Sequence, residues 1–379
     1  MSISGNIGEW SEPYVIFRLL ADGRLHQANE KMLPSKNEFA HILDVIRRDT
    51  RASIGSEGGV QFSFTDKLGQ SHTLETNNVM MEKIASRLLS KLKNVTAKTG
   101  AFPLPDIEKD LLFYGFTRLT NPADEKRRTT KRDLALRLDS PNMGVATLGF
   151  SVKSELGAPP TLLNASEATN VIYRVQGLTD EQAEEINNIK SSTKIMDRCR
   201  AIKKHATSIE YEGFSNSIFE ENLEVVDAAL PRILADLIKV HYFDQILLPR
   251  SSKTGRRRDD KLSSAVELLS KTEPYISKSR RNFCEIKVKR FLRNCALGLM
   301  PSKVWNGIED ATGGYIVVLP DGQLVALYVY NTNLFEKYLY ESTIFERAST
   351  SRHGYMTLIK DQSSNDFFLK LNLQIRFNR

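Results

Sequence analysis

The densest chemistry in this chain lies between Asp133 and Lys153. Two runs with strand character, 133–138 (DLALRL) and 147–153 (TLGFSVK), flank DSPNMGVA, where Asp, Ser, Pro, Asn and Gly crowd together as they do in turns. The spacing predicts an antiparallel hairpin turning near Asn142–Met143, with Asp133 opposite residues 151–153. Asp133 and Lys153 then share the open end of the hairpin. A carboxylate beside a lysine suits phosphodiester hydrolysis. Carboxylate oxygens are hard ligands for Mg²⁺, which polarises a phosphate and lowers the pKa of its water. An ammonium orients the attacking water or stabilises charge developing at phosphorus. Asp139 pairs toward the turn and points away.

The arrangement resembles the PD-(D/E)XK nuclease motif, an Asp opening one strand and (D/E)-x-K closing the next. Arg132 stands where that motif has Pro, and Ser151-Val152-Lys153 puts a serine at the second acidic position. By itself, D…SxK also describes ordinary exposed hairpin residues. A further carboxylate, Glu167, follows Lys153 by 14 residues on a helix-like stretch at 161–168. This resembles a subgroup of restriction enzymes, specific for sites with a CCGG core, whose second metal-binding Glu has moved to the neighbouring helix. An exposed helical Glu is the plainer reading of Glu167, with equal weight. Glu155, just past the strand, is the lesser candidate. Upstream, Gly8-Glu9-Trp10-Ser11-Glu12 resembles the G-x-x-x-E pattern on the first helix of many such nucleases, where the Glu faces the site and supports metal-bound water or the lysine. Ser11 as helix cap and Pro13 in the first turn explain part of this pattern structurally, and Glu9 takes the structural reading. Glu167, Glu155 and Glu12 all stay open as the source of the second carboxylate.

These residues need a scaffold, and 379 residues at 41% hydrophobic and 26% charged can build a sizeable core. No apolar run approaches the ~20 residues that span a bilayer, and MSISGNIGEWSEPY lacks a signal pattern, so a cytoplasmic protein is expected. Cys199, Cys284 and Cys295 have no CxxC spacing and the six histidines are scattered, which argues against disulfides and zinc. The net charge is +7, and residues 253–293 alone hold 13 Lys or Arg against 5 Asp or Glu. Such clustering fits phosphate backbones, and equally a solvated helix face.

Helical spacing predicts helices at 9–21, stopped by Gly23, and at 79–93, 106–116, 180–190, 216–240, 261–270 and 279–297. Residues 59–76 form a hairpin pattern turning near 67–69, and strands are predicted at 170–176, 314–319, 323–330 and 367–377. SSKTGRRRDD at 251–260 reads as a mobile segment or weak boundary. The expected fold is α/β, a restriction-endonuclease-like mixed sheet flanked by helices. Residues 1–250 would form the catalytic core with its N-terminal helical region. Residues 251–379 would form a basic helical segment and a β-rich C-terminal lobe for DNA recognition.

Four ordered segments, GEWSEPYVIFRLLADGRL, GFSVKSELGAPPTLLNASEATNVIY, STSRHGY and LNLQIRF, together resemble the HpaII family of restriction endonucleases over residues 8 to 377. The resemblance implies a Mg²⁺-dependent double-strand cut in DNA at a short palindromic CCGG-like site and a companion methyltransferase. It gives Asp133 and Lys153 the catalytic roles, with Asp133 and Glu167 as metal ligands, Ser151 in the vacated acidic position and Glu12 in support. Asn164 and Ser166 belong to the TLLNAS signature; a structural role is favoured for Asn164 over DNA contact. Ser351, Arg352 and His353 suit DNA by chemistry: hydroxyls grip phosphates and Arg352 could pair bidentately with guanine. An Arg–carboxylate bridge and a structural histidine are the competing readings. Arg280, Arg281, Lys287, Lys289 and Arg290 are candidate phosphate contacts, Arg256, Arg257 and Arg258 a candidate clamp, and Arg376 a packing residue. A palindromic site implies a homodimer. The rival is an inactive sequence-specific DNA-binding protein that keeps the nuclease fold. RNA is disfavoured, because aromatic–basic interleaving is absent.

Overall fold

The structure, a computed structural model, describes residues 3–66, 68–95, 100–121, 131–248 and 260–378. The chain divides into two compact units, and the division does not fall near residue 250. The first comprises Met1–Pro160, Ala296–Gly298 and Glu309–Phe335, and the second Thr161–Cys295, Leu299–Ile308 and Glu336–Arg379.

In the first unit a short strand β1 (Ser4–Gly5) leads into helix α1 (Ile7–Asp22). Ser11 does not cap this helix. Asn6 does, because Asn6 and Glu9 form a reciprocal capping box one turn upstream, which leaves Pro13 inside the helix. Glu9 is thereby consumed structurally. Gly23 ends the helix at φ 64°, a left-handed conformation that glycine adopts without steric cost. Strands β2 (Arg24–Ala28), β3 (Pro34–Ile46), β4 (Thr50–Ile54), β5 (Gly59–Thr65) and β6 (Ser71–Asn77) follow, then helix α2 (Asn78–Asn94). After β7 (Phe102–Pro103) and α3 (Pro105–Phe113) come β8 (Leu134–Ser140) and β9 (Gly144–Ser154).

The β8–β9 hairpin has the register expected from its turn, with Ser140 facing Gly144 and Leu134 facing Phe150. Strands β13 (Gly314–Val318) and β14 (Leu324–Tyr328) are buried throughout, as strands covered on both faces must be. They do not build a C-terminal lobe: β13 lies parallel to β9, and β14 parallel to β2. The sheet order is β2-β14-β13-β9-β8-β3-β4-β5-β6, and β2 also pairs with β3, so six of the nine strands close into a ring. Trp10, Tyr14 and Phe17 of α1 and Ile84 and Leu88 of α2 join the sheet residues in one core.

The second unit holds two small sheets. One runs β10 (Thr161–Leu163), β18 (Ile375–Phe377), β15 (Thr343–Phe345), and the other β12 (Ser208–Phe214), β11 (Asn170–Gln176), β17 (Phe367–Asn372), β16 (Leu358–Lys360). The helix expected at 161–168 is instead β10 and a 3-10 turn at Glu167–Thr169. Helices α4 (Asp180–Asn187) and α5 (Lys194–His205) come next. The long helix expected at 216–240 is two, α6 (Ser217–Val226) and α7 (Leu230–Phe243). Asp227 Oδ1 accepts from the Ala229 N–H at 2.9 Å, and Pro231 stands in the first turn of α7. An Asx turn and a proline restart the helix there, although the apolar periodicity runs on. Helices α8 (Leu262–Leu269), α9 (Lys278–Leu297), α10 (Thr332–Glu341) and the four-residue α11 (Thr350–His353) complete the chain.

Candidate active site

The hairpin register brings Asp133 to the head of β8, where its N–H donates to Phe150 O at 2.8 Å. Asp133 Oδ2 accepts from the Val152 N–H at 2.7 Å and from Ser151 Oγ at 3.1 Å. Lys153, two residues along β9 and on the same face, donates from Nζ to Ser151 Oγ at 2.9 Å. Its ammonium also lies 4.9 Å from the ring centroid of Tyr315, which stands beside Ser151 on β13. Lysine, serine and aspartate thus form one hydrogen-bonded chain. The serine in the vacated acidic position links the charged groups without adding charge.

Glu12 of α1 faces this chain. It is 7% exposed, and its Oε2 accepts from the Asn121 N–H at 3.3 Å. Burial pushes its carboxyl up to about 9, and the like charge of Asp133 pushes the same way. Arg47, the Asn121 amide and Lys153 pull it down and do not prevail. Asp133 is also raised, because burial outweighs Lys153 and the two donors on Oδ2, and burial lowers Lys153 despite Asp133. Two carboxylates that cannot both ionise comfortably lie beside a lysine that is easily discharged. Ser11 adds to the positioning: its Oγ lies 2.8 Å from Ser154 Oγ, fastening α1 to the end of β9 next to Lys153.

Sequence reasoning gave no sign of Arg47 or Asn121. Arg47, 5% exposed, donates to the carbonyls of Arg118, Leu119 and Thr120 at 3.0, 2.7 and 3.0 Å and pairs with Asp49 at 3.0 Å. It shapes the loop that presents Asn121 to Glu12. Only the Arg-Arg-Asp run at 47–49 hints at this, and such a run is common on surfaces.

Of the other acidic candidates, Asp139 and Glu155 are exposed. Glu167 is in the second unit, exposed on its 3-10 turn, with Oε1 3.7 Å from where a Cβ on Gly354 would sit. In the first unit the carboxylate that meets Asp133 is Glu12. Among the described residues no three His, Cys, Asp or Glu side chains converge on a metal-binding point. The candidate donors in the first unit are Asp133 and Glu12. Each carboxylate has one oxygen engaged by the protein and one without a protein donor among the described residues. Two hard, mutually repelling oxygen donors fit a divalent cation completed by water or phosphate oxygens.

The basic candidates divide. Lys287 is buried, ion-paired with Asp227 and 4.0 Å from the Phe283 ring centroid, so it is a packing residue and not a phosphate contact. Lys289 pairs with Glu285 at 2.7 Å on its own helix. Arg280, Arg281 and Arg290 are exposed. Arg256, Arg257 and Arg258 lie outside the described residues. Ser351 and Arg352 are exposed and His353 is half-buried, and among the described residues Arg352 has no carboxylate partner. Arg376 pairs with Glu346 at 2.7 Å. The three cysteines are buried and unbridged.

An aspartate linked through a serine to a lysine, with a second carboxylate facing them, suits phosphodiester hydrolysis, and comparison with known proteins gives the class. The family model described as HpaII restriction endonuclease matches residues 6–377. The type II restriction enzyme HpaII of Haemophilus parainfluenzae is 36% identical over 99% of this chain and 98% of its own length. The chain belongs to the HpaII restriction endonuclease family, and so to the type II restriction enzymes. No solved structure gave a significant match.

Proposed function

We propose that this enzyme is a Mg²⁺-dependent endonuclease that cuts both strands of duplex DNA at a short palindromic CCGG-like site. The observation that carries the reading is the chain from Lys153 through Ser151 to Asp133, with the Glu12 carboxylate facing it. A divalent cation held by Asp133 and Glu12 would polarise the scissile phosphate and acidify the attacking water. Asp133 is held by the Val152 N–H and Ser151 hydroxyl, so it binds without rotating. Lys153, its pKa lowered by burial, can orient the water, accept its proton or stabilise the charge developing on the phosphate. Ser151 keeps Lys153 in place when Asp133 is bound elsewhere.

Exposed Arg280 and Arg281 are proposed phosphate contacts, and Ser351, Arg352 and His353 proposed groove contacts. Two copies of the chain would match the symmetry of a palindrome, one centre per strand. A companion methyltransferase in the same cytoplasm would protect host sites. An inactive DNA-binding protein is not favoured, since both charged partners of the missing acid are present and engaged.

The test is digestion of unmethylated phage DNA with Mg²⁺ and with EDTA, followed by sequencing of the fragment ends. Discrete Mg²⁺-dependent fragments sharing one CCGG-like end sequence are expected. No cleavage with any divalent metal, or ends of random sequence, would overturn the proposal.

A further inference from the structure

Three of the sequence signatures meet in one place. In the second unit Asn164, Arg352, His353, Gln374, Arg376 and Glu346 line a groove of about 380 Å³. Asn164 comes from TLLNAS, Arg352 and His353 from STSRHGY, and Gln374 and Arg376 from LNLQIRF.

A network of buried amides fixes the groove. Asn372 Nδ2 donates to Asn170 Oδ1 at 2.7 Å and to Ser166 O at 2.9 Å, and Asn170 Nδ2 donates to His353 O at 2.8 Å. Asn170 and Asn372 are 1% and 2% exposed. Their bonds tie together the loop carrying Asn164, the loop carrying Arg352 and the end of β17 that leads to Gln374. Buried side-chain hydrogen bonds restrict the segments they join, although Asn372 Oδ1 itself has no partner among the described residues. Tyr355 Oη, donating to Ala348 O at 2.8 Å, closes the Arg352 loop from below.

Gln374 is the residue this scaffold leaves unexplained. It is 9% exposed and lines the groove, and its backbone carbonyl accepts from Glu346 N–H at 3.0 Å. Among the described residues its carboxamide makes no hydrogen bond, and its polar atoms are not sealed from solvent, so a mostly buried side chain presents an accessible amide to the groove. Asn164 is exposed at the rim and its amide is likewise unspent. One wall is neutralised, Glu346 with Arg376, while the Arg352 guanidinium is not. Among the described residues the groove offers a guanidinium without a carboxylate partner and two carboxamides without hydrogen bonds, the donor and acceptor types that read base edges.

We infer that Gln374 is a specificity-determining residue, its carboxamide contacting a base edge of the DNA site in this groove beside Arg352, with Asn164 at the rim. On a G·C pair an amide can donate to guanine O6 and accept from cytosine N4–H, while Arg352 takes guanine O6 and N7 of a neighbouring pair. This inference rests on the proposed DNA cleavage, and the wild-type enzyme tests that reading separately in the same experiment.

The experiment compares wild type, Gln374→Leu and Arg352→Ala on duplexes carrying the site and every single-base-pair variant of it, measuring kcat/KM with Mg²⁺ and binding with Ca²⁺. For Gln374→Leu the expected result is a loss of about 10- to 100-fold on the true site, with rates on duplexes altered at one particular base pair unchanged. Discrimination collapses at that position and is kept elsewhere. A uniform fall on all duplexes would make Gln374 a structural or duplex-positioning residue, and an unchanged profile would leave it no role; either overturns the inference. If the leucine variant does not fold, Gln374→Asn keeps the amide and shortens its reach, and the same positional loss is required of it. Failure of wild type to cut any duplex would be failure of the nuclease reading, visible before any variant is compared.

Discussion

Ser151 donates its hydroxyl to Asp133 across the hairpin at 3.1 Å, from the position where a second carboxylate would otherwise stand. An acid there would crowd Asp133 and Glu12 with a third negative charge. The serine instead accepts from Lys153 at 2.9 Å and passes the polarity on to Asp133. We propose that the acidic role passes to Glu12 of α1, which couples electrostatically to Asp133.

That arrangement separates two variants. Lys153→Ala removes the ammonium at the reacting centre and should abolish cleavage, while specific binding in Ca²⁺ stays within a few-fold of wild type. Ser151→Ala leaves both charged groups in place and removes only their link, hydrogen bonds to charged groups worth about 1.5–3 kcal/mol. Single-turnover cleavage should therefore fall by about 10- to 150-fold with KM little changed. Full activity in Lys153→Ala would remove Lys153 from the centre, and complete inactivity in Ser151→Ala would give Ser151 a larger part than a bridge.

The Glu12 carboxyl is raised in the folded protein to about 9. A raised carboxyl is more stable protonated when folded, so its ionisation costs stability as pH climbs from the unfolded value through 9. Glu12→Gln should therefore raise the melting temperature at pH 8, have little effect at pH 4 to 5, and abolish cleavage. Added Mg²⁺ should stabilise the wild type at pH 8 by binding the ionised pair, and should stabilise Glu12→Gln much less. Glu167→Gln, changed in the second unit, should retain the Mg²⁺-dependent rise in melting temperature. Loss of that rise in Glu167→Gln but not in Glu12→Gln would hand the metal back to Glu167.

The hairpin was legible because its information is local. Turn residues between two apolar runs set the register, and the register alone puts Asp133 against Ser151 and Lys153. The cap of α1 was misjudged by one turn, since Ser11 and Asn6 are both good caps and only Asn6 has Glu three residues on. β13 and β14 were recognised as strands, but their parallel partners β9 and β2 are separated from them by more than 160 residues of chain, and apolar runs do not name their partners. Lys287 illustrates the limit of counting charge: in sequence it belongs to a basic stretch, and in the fold it is consumed by Asp227. Arg47 marks the opposite limit. Its acceptors are backbone carbonyls, which leave no trace in residue identity.

Arg47 gives the last prediction. Its guanidinium fork holds three consecutive carbonyls, and the next residue, Asn121, holds Glu12. Arg47→Ala strips those three carbonyls of this donor and leaves Asp49 with Thr117 alone, and should cost about 3 kcal/mol or more, enough to obscure any effect on activity. Arg47→Lys is the more informative change. It keeps the charge that helps Glu12 ionise but cannot serve the loop as a planar fork. The lysine variant should bind DNA in Ca²⁺ as wild type does and should cut it about 10- to 100-fold more slowly. The rate should also require more Mg²⁺ for half-saturation, since a loosened Asn121 loop lets Glu12 drift from its partner. A variant that is slow at all Mg²⁺ concentrations with unchanged half-saturation would place Arg47's influence on the fold and not on Glu12.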